Sequence, residues 1–134
     1  FITYNYKYNL RTHNYLFWPD GIFSTFFTKT KKIPGREYFM KIINTINKNN
    51  NNYKFKKIYV LGNLPTISKR WLSKRLNYTY SHINLPFGNF KKIKSFVERL
   101  RLQNNSLIIL TLPTPKQELL GNFILKKYNK NIVL

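Results

Sequence analysis

Residues Ser106–Leu120 read SLIILTLPTPKQELL. Leu107–Leu110 is a short run of Leu and Ile, the pattern of a strand buried on both faces. Pro113 and Pro115 cannot continue a ladder, and they force the chain open at Leu112–Pro115. Beyond them Leu119, Leu120, Phe123 and Ile124 recur at helical spacing. The stretch is therefore a strand, a turn and a helix, with Lys116, Gln117 and Glu118 at the mouth of the turn. In open α/β sheets ligands bind outside the carboxyl ends of the strands. A cation, an amide and a carboxylate at that place form a candidate polar binding cluster.

Outward from this stretch the same alternation repeats. Upstream, Lys57–Gly62 (KIYVLG) is a second strand of the buried type, turned out by Asn63–Leu64–Pro65. A helix over Ile67–Leu76 follows, with Thr66 or Ser68 as N-cap. Tyr80–Asn84 is a short strand, and Lys91–Leu102 is a helix with Ile93, Phe96, Val97 and Leu100 on one face. Downstream, Asn131–Leu134 begins a further strand. Strands and helices alternating with short connections predict right-handed βαβ units, hence a Rossmann-like parallel sheet with helices on both faces. The glycine fingerprint of dinucleotide folds is absent, because Leu61–Gly62–Asn63 lacks the later glycines, and no Walker-type Gly-Lys-Ser/Thr occurs.

The first third is less regular. Phe1–Tyr8 (FITYNYKY) alternates as a strand, with Thr3 and Asn5 on one face. Pro19–Asp20–Gly21 reads as a turn in which Asp20 bonds its own backbone. Ile22–Phe27 has the composition of a short helix. Ile33–Glu37 is a loop feeding a helix over Tyr38–Lys48, striped by Phe39, Ile42, Ile43 and Ile46. Asn49–Asn52 stops that helix as a surface loop. The expectation is one α/β domain over residues 1–134 that ends as a strand begins, an incomplete or shortened domain.

Composition bounds the function. With 134 residues, 43% of them hydrophobic and 17% aromatic, the chain holds enough apolar side chains for a packed core. Lys and Arg number 24 against 4 Asp and Glu, a net charge of +20 that attracts polyanions. Lys, Asn, Ile, Tyr and Phe also share AT-rich codons, so base composition is a second source of the same charge. With no cysteine there is no disulfide framework and no thiolate metal site. His13 and His82 stand far apart without ligand spacing. No apolar run reaches the length of a membrane span, and the first residues do not read as a signal peptide.

Four stretches together resemble the WecG/TagA/CpsF family of bacterial glycosyltransferases: Pro19–Asp20–Gly21, Ile33–Pro34–Gly35–Arg36, Tyr59–Val60–Leu61–Gly62–Asn63 and Leu112–Pro113–Thr114–Pro115–Lys116–Gln117–Glu118. They occur in the family's order and cover nearly the whole chain, the Pro-Lys-Gln-Glu segment being the most specific. The resemblance implies inverting transfer of an N-acetylmannosamine-like hexose from a UDP-sugar to a polyprenyl-diphosphate-linked acceptor in cell-surface polysaccharide synthesis. It implies action at the cytoplasmic face of the plasma membrane, against an anionic lipid surface, with no metal and no cofactor.

By the same resemblance Asp20 is the catalytic base, taking the proton of the acceptor hydroxyl. Arg36 and Gln117 hold the donor, and the Arg36 fork suits diphosphate oxygens. Glu118 bonds ribose or a backbone group, with capping of the following helix as an equal alternative. Thr3 and Asn5 match a Thr-x-Asn pair on the family's first strand. The segment after that pair is shortened here to Asn9–Leu16, and Ile22 and Phe23 stand where the family has small residues. Of the four acids, Asp20, Glu37, Glu98 and Glu118, three lie in or beside these stretches.

Two other readings compete. An inactive or accessory relic of the same fold fits the shortened chain. A basic nucleic-acid-binding module would use the cations with Tyr4, Tyr6, Tyr8, Trp18 and Trp71. No RRM, KH, helix-turn-helix or zinc-finger signature supports it, so nucleic acid is not an expected partner. The segment KRWLSK, Lys69–Lys74, is amphipathic enough to touch a membrane, although Trp71 packed on the sheet is the plainer expectation.

Overall fold

The computed structural model describes residues 35–48, 55–128 and 132–133. The expected Phe1–Tyr8 strand with Thr3 and Asn5, the Pro19–Asp20–Gly21 turn, Ile22–Phe27 and the Asn49–Asn52 loop lie outside them. The chain divides into two compact units, Phe1–Lys48 and Asn49–Leu134.

In the first unit, helix α1 spans Gly35–Lys48. It starts three residues earlier than the apolar stripe predicts. Glu37 lies in its first turn and Lys48 in its last, both matching the helix dipole. Arg36 therefore stands in a helical turn rather than in a loop. Ile43 and Ile46 are buried, and Phe39 and Ile42 half-buried, as the stripe requires.

In the second unit, β1 (Lys57–Gly62), α2 (Thr66–Arg75), β2 (Tyr80–Ile83), α3 (Phe90–Glu98), β3 (Ser106–Thr111), α4 (Lys116–Lys127) and β4 (Ile132–Val133) follow in turn. The strands form one sheet in the order β2-β1-β3-β4. Every pairing is parallel, with Ile58 opposite Tyr80 and Leu107, and Leu107 opposite Ile132. The unit is an α/β fold with an open parallel sheet, compatible with a Rossmann-like arrangement.

Strand periodicity sorts the side chains onto two faces. Tyr59, Leu61, Ile108 and Leu110 share one face and join Ile93 and Val97 of α3 and Leu120 and Ile124 of α4 in a single core. On the other face lie Ile58, Val60, Leu107, Ile109 and Tyr80. There the Tyr80 hydroxyl donates to the carbonyl of Lys69 in α2 at 3.2 Å. Right-handed crossovers require this split, because β1 to β2 runs one way along the sheet and β2 to β3 to β4 the other.

Helix ends depart from the apolar pattern for local reasons. α2 begins at Thr66 with Pro65 at its N-cap and no side-chain cap, so neither Thr66 nor Ser68 does that work. α3 is capped by Asn89, whose Oδ1 accepts from the Lys92 amide at 3.0 Å. It stops at Glu98 rather than Leu102. The Arg99 and Leu100 amides bond back to Phe96 and Val97, tightening the last turn. Leu102, beyond the helix, still joins the core. Glu98 makes a half-exposed pair with Lys94 at 3.5 Å, an ordinary helix-surface pair that contributes about 0.3–0.5 kcal/mol.

The core supplies a stability prediction. Ile108 is 0% exposed at the centre of the cluster. Ile108→Ala is expected to cost about 2–5 kcal/mol in urea unfolding, from lost transfer energy and the cavity left behind.

Candidate functional site at the carboxyl ends of the strands

The strand order fixes where a ligand crevice opens. The chain leaves β1 toward β2 and leaves β3 toward β4, so the two connections diverge between β1 and β3. That is the topological switch point of the sheet, outside Gly62 and Thr111.

Gly62 ends β1 with φ +128°, a conformation that L side chains rarely adopt. A Cβ there would come within 2.4 Å of Thr111 Oγ1 and 2.6 Å of the Thr111 carbonyl oxygen. The close approach has a use. The Thr111 hydroxyl donates between the carbonyls of Leu61 and Asn63, each 3.3 Å away, and so clasps the ends of β1 and β3 together. From β2, His82 Nε2 donates to the Gly62 carbonyl at 2.8 Å, which fixes a proton on Nε2. His82, Gly62 and Thr111 thus form a polar row across three strand ends.

The turn after β3 delivers the residues singled out in the sequence. The Thr114–Pro115 peptide is cis, and α4 starts at Lys116 with Pro115 at its N-cap. Glu118 is the third residue of the helix, the position from which a capping box would reach back to the N-cap amide. Proline has no N–H, so that bond is impossible, and the capping alternative for Glu118 falls. Its Oε1 instead accepts from the Thr114 hydroxyl at 2.9 Å. Glu118 Oε2 is buried without a hydrogen-bond partner among the described residues.

The Lys116 and Gln117 amides both turn back to the Pro113 carbonyl, at 3.0 and 3.4 Å. These two donors are spent on the turn, so a ligand in the crevice meets side chains here before backbone. Gln117 is half-buried. Lys116 Nζ reaches the Gly88 carbonyl at 2.7 Å, tying the start of α4 to the loop after β2.

Three helices begin at this rim, and their first turns are charged unusually. Lys91 and Lys92 lie in the first turn of α3 and Lys116 in that of α4, while the first turns of α2 and α3 hold no acid. Helix dipoles favour anions at these ends, and each misplaced cation costs about 0.3–1 kcal/mol when exposed at low salt. An anionic ligand or surface at the rim would offset that cost.

Of the residues assigned by resemblance, Gln117 and Glu118 stand in the first turn of α4, beyond the carboxyl end of β3. Arg36 belongs to the first unit, and Asp20, Thr3 and Asn5 lie outside the described residues. Sequence reasoning assigned no role in the site to Thr111, Thr114 or His82. Thr111 announces itself only as a polar residue closing an apolar run, and His82 as an imidazole one strand away from a Gly-Asn turn. A separate shallow hollow of about 620 Å³ lies beside β2, lined by Ser73, Asn77, Tyr78, Thr79, Tyr80 and His82. Trp71 is half-buried in α2 with the Arg75 guanidinium 5.9 Å from its ring centre.

Among the described residues no helix is long and apolar enough to cross a membrane. Compared with protein-family models, curated proteins and solved structures, the chain finds no match in any of the three.

Proposed function

We propose that this chain is a Rossmann-like, inverting glycosyltransferase of the WecG/TagA/CpsF kind. Its donor is a UDP-sugar carrying an N-acetylmannosamine-like hexose, and its acceptor a sugar on polyprenyl diphosphate at the inner membrane face. The observation that carries the reading is that two of the quoted stretches, Tyr59–Asn63 and Leu112–Glu118, leave neighbouring parallel strands at the switch point of the sheet.

In this reading the acceptor hydroxyl oxygen attacks the anomeric carbon while its proton passes to the Asp20 carboxylate. The bond from the anomeric carbon to the β-phosphate oxygen breaks, its electron pair leaves with UDP, and the anomeric centre inverts. Arg36 meets the diphosphate through its planar fork. Gln117 reads the uracil or sugar through its amide, and Glu118 accepts from the donor's ribose. The resemblance adds Thr3 and Asn5 to the substrate-binding residues.

Calorimetric titration with UDP tests the donor site. Saturable binding that survives moderate salt is expected, weakened about tenfold or more in Arg36→Ala and in Gln117→Ala, since a charge-assisted or buried hydrogen bond contributes about 1.5–3 kcal/mol. Absence of UDP binding, with salt-sensitive binding of single-stranded DNA in its place, would overturn the reading in favour of a general polyanion surface.

A further inference from the structure

We propose that the hollow beside β2 is a binding site for a neutral saccharide, where Ser73 and His82 accept from sugar hydroxyls and Tyr78 completes the contact. The inference goes beyond the transferase reading and does not rest on it. The hollow lies along β2, whereas the switch-point crevice opens between β1 and β3.

The hollow begins where Tyr78 and Thr79 lead into the amino end of β2, and it follows the strand to His82. Tyr80 and His82 share the strand face that meets α2, whose last turns add Ser73 to the lining. A volume of about 620 Å³ falls within the range of small-molecule sites.

The hydrogen bonds already made by the lining select the class of ligand. The Tyr80 hydroxyl has one hydrogen, and it goes to the Lys69 carbonyl. Ser73 Oγ lies 3.2 Å from the same hydroxyl and is therefore the donor of that pair, which leaves it only lone pairs. His82 Nε2 donates to the Gly62 carbonyl, so the neutral ring keeps Nδ1 as an acceptor. The Tyr78 hydroxyl is buried with no partner among the described residues, and such a group favours a ligand that supplies one.

An anion is what a net charge of +20 attracts, yet here it meets engaged hydrogens and no charged side chain. A cation meets no carboxylate. The lining suits a neutral ligand that brings its own hydrogens, and the rings of Tyr78 and Tyr80 suit one with an apolar face. A sugar ring combines both, with hydroxyls at its edge and C–H groups on its faces. The uracil ring of a nucleoside has the flat face but a single N–H.

Amide NMR of the ¹⁵N-labelled whole chain tests this, with methyl glucoside and cellobiose as probes against uridine and inorganic phosphate. Saturable shifts centred on Ser73–His82 are expected with the glycosides. The paired variant Ser73→Ala with Tyr78→Phe should bind them about tenfold more weakly or worse while melting like the parent chain, since it removes one acceptor and one hydroxyl and keeps the ring.

Parental affinity in that variant would overturn the proposal, as would the absence of saturable shifts with both glycosides. So would uridine or phosphate occupying the hollow more tightly than either sugar. Glycoside binding by a chain that binds no UDP would support this site while the donor reading fell, because the two share no side chain.

Discussion

Gly62→Ala is expected to destabilise the chain by about 3 kcal/mol or more and to abolish ligand binding at the switch point. Two independent costs add. The φ of +128° lies in a region that only glycine occupies without strain, and forcing alanine into it costs about 1–3 kcal/mol. The new methyl would also meet Thr111 Oγ1 at 2.4 Å and the Thr111 carbonyl oxygen at 2.6 Å, adding about 1–3 kcal/mol of overpacking. Two backbone atoms, the Thr111 carbonyl oxygen and carbon, are among the neighbours, so no rotamer change relieves the contact. Thr111→Ala in the same chain removes the hydroxyl but leaves the carbonyl in place, so it should rescue only part of the loss. Relief by moving the strand ends apart would break the bonds from Thr111 to Leu61 and Asn63 and carry His82 away from the Gly62 carbonyl. Urea unfolding of the single and double variants, with UDP titration of whatever remains folded, measures both effects. An alanine variant with the parent's midpoint would mean that β1 and β3 do not approach as closely as described.

The strands were the most legible part of the fold, because burial on both faces writes an unbroken apolar run. Lys57–Gly62 coincides with β1, and Leu107–Leu110 falls short of β3 by one residue at each end. Those two residues are polar: Ser106 is fully buried, and Thr111 makes the clasp. An apolar count cannot find a hydroxyl whose place in a strand is earned by a bond to the next strand.

Helix ends were less legible for the same reason. The tightened turn at Arg99–Leu100 and the proline cap of α4 are backbone events, invisible to a side-chain stripe. Alternation predicted parallel pairing but not the order of strands. Yet it is the order that puts Gly62 and Thr111 side by side and opens the crevice. The Pro-Lys-Gln-Glu cluster was placed correctly at a strand-to-helix mouth, because two prolines permit little else there. The bond from Thr114 to Glu118 was not legible, since it depends on how the turn folds back onto the start of the helix.

Asp20→Asn is expected to lower transfer about 10²–10⁴-fold while leaving UDP affinity unchanged, the loss associated with removing a positioned general base. Asparagine keeps the shape of aspartate and can still accept a hydrogen bond from the acceptor hydroxyl. It cannot take the proton as the new glycosidic bond forms, so the acceptor oxygen stays a weak nucleophile. The donor's diphosphate and uracil make their contacts elsewhere in this reading, through Arg36 and Gln117, so binding and turnover separate cleanly. Release of UDP from the sugar donor in the presence of a polyprenyl-diphosphate acceptor measures the first, and calorimetry the second. Loss of UDP binding in Asp20→Asn would make Asp20 a donor-site or turn residue, as its place in Pro-Asp-Gly allows. Unchanged turnover would remove it from the chemistry altogether. A parent chain that binds UDP but releases none would belong instead to the relic reading, with a donor pocket kept and the transfer step lost.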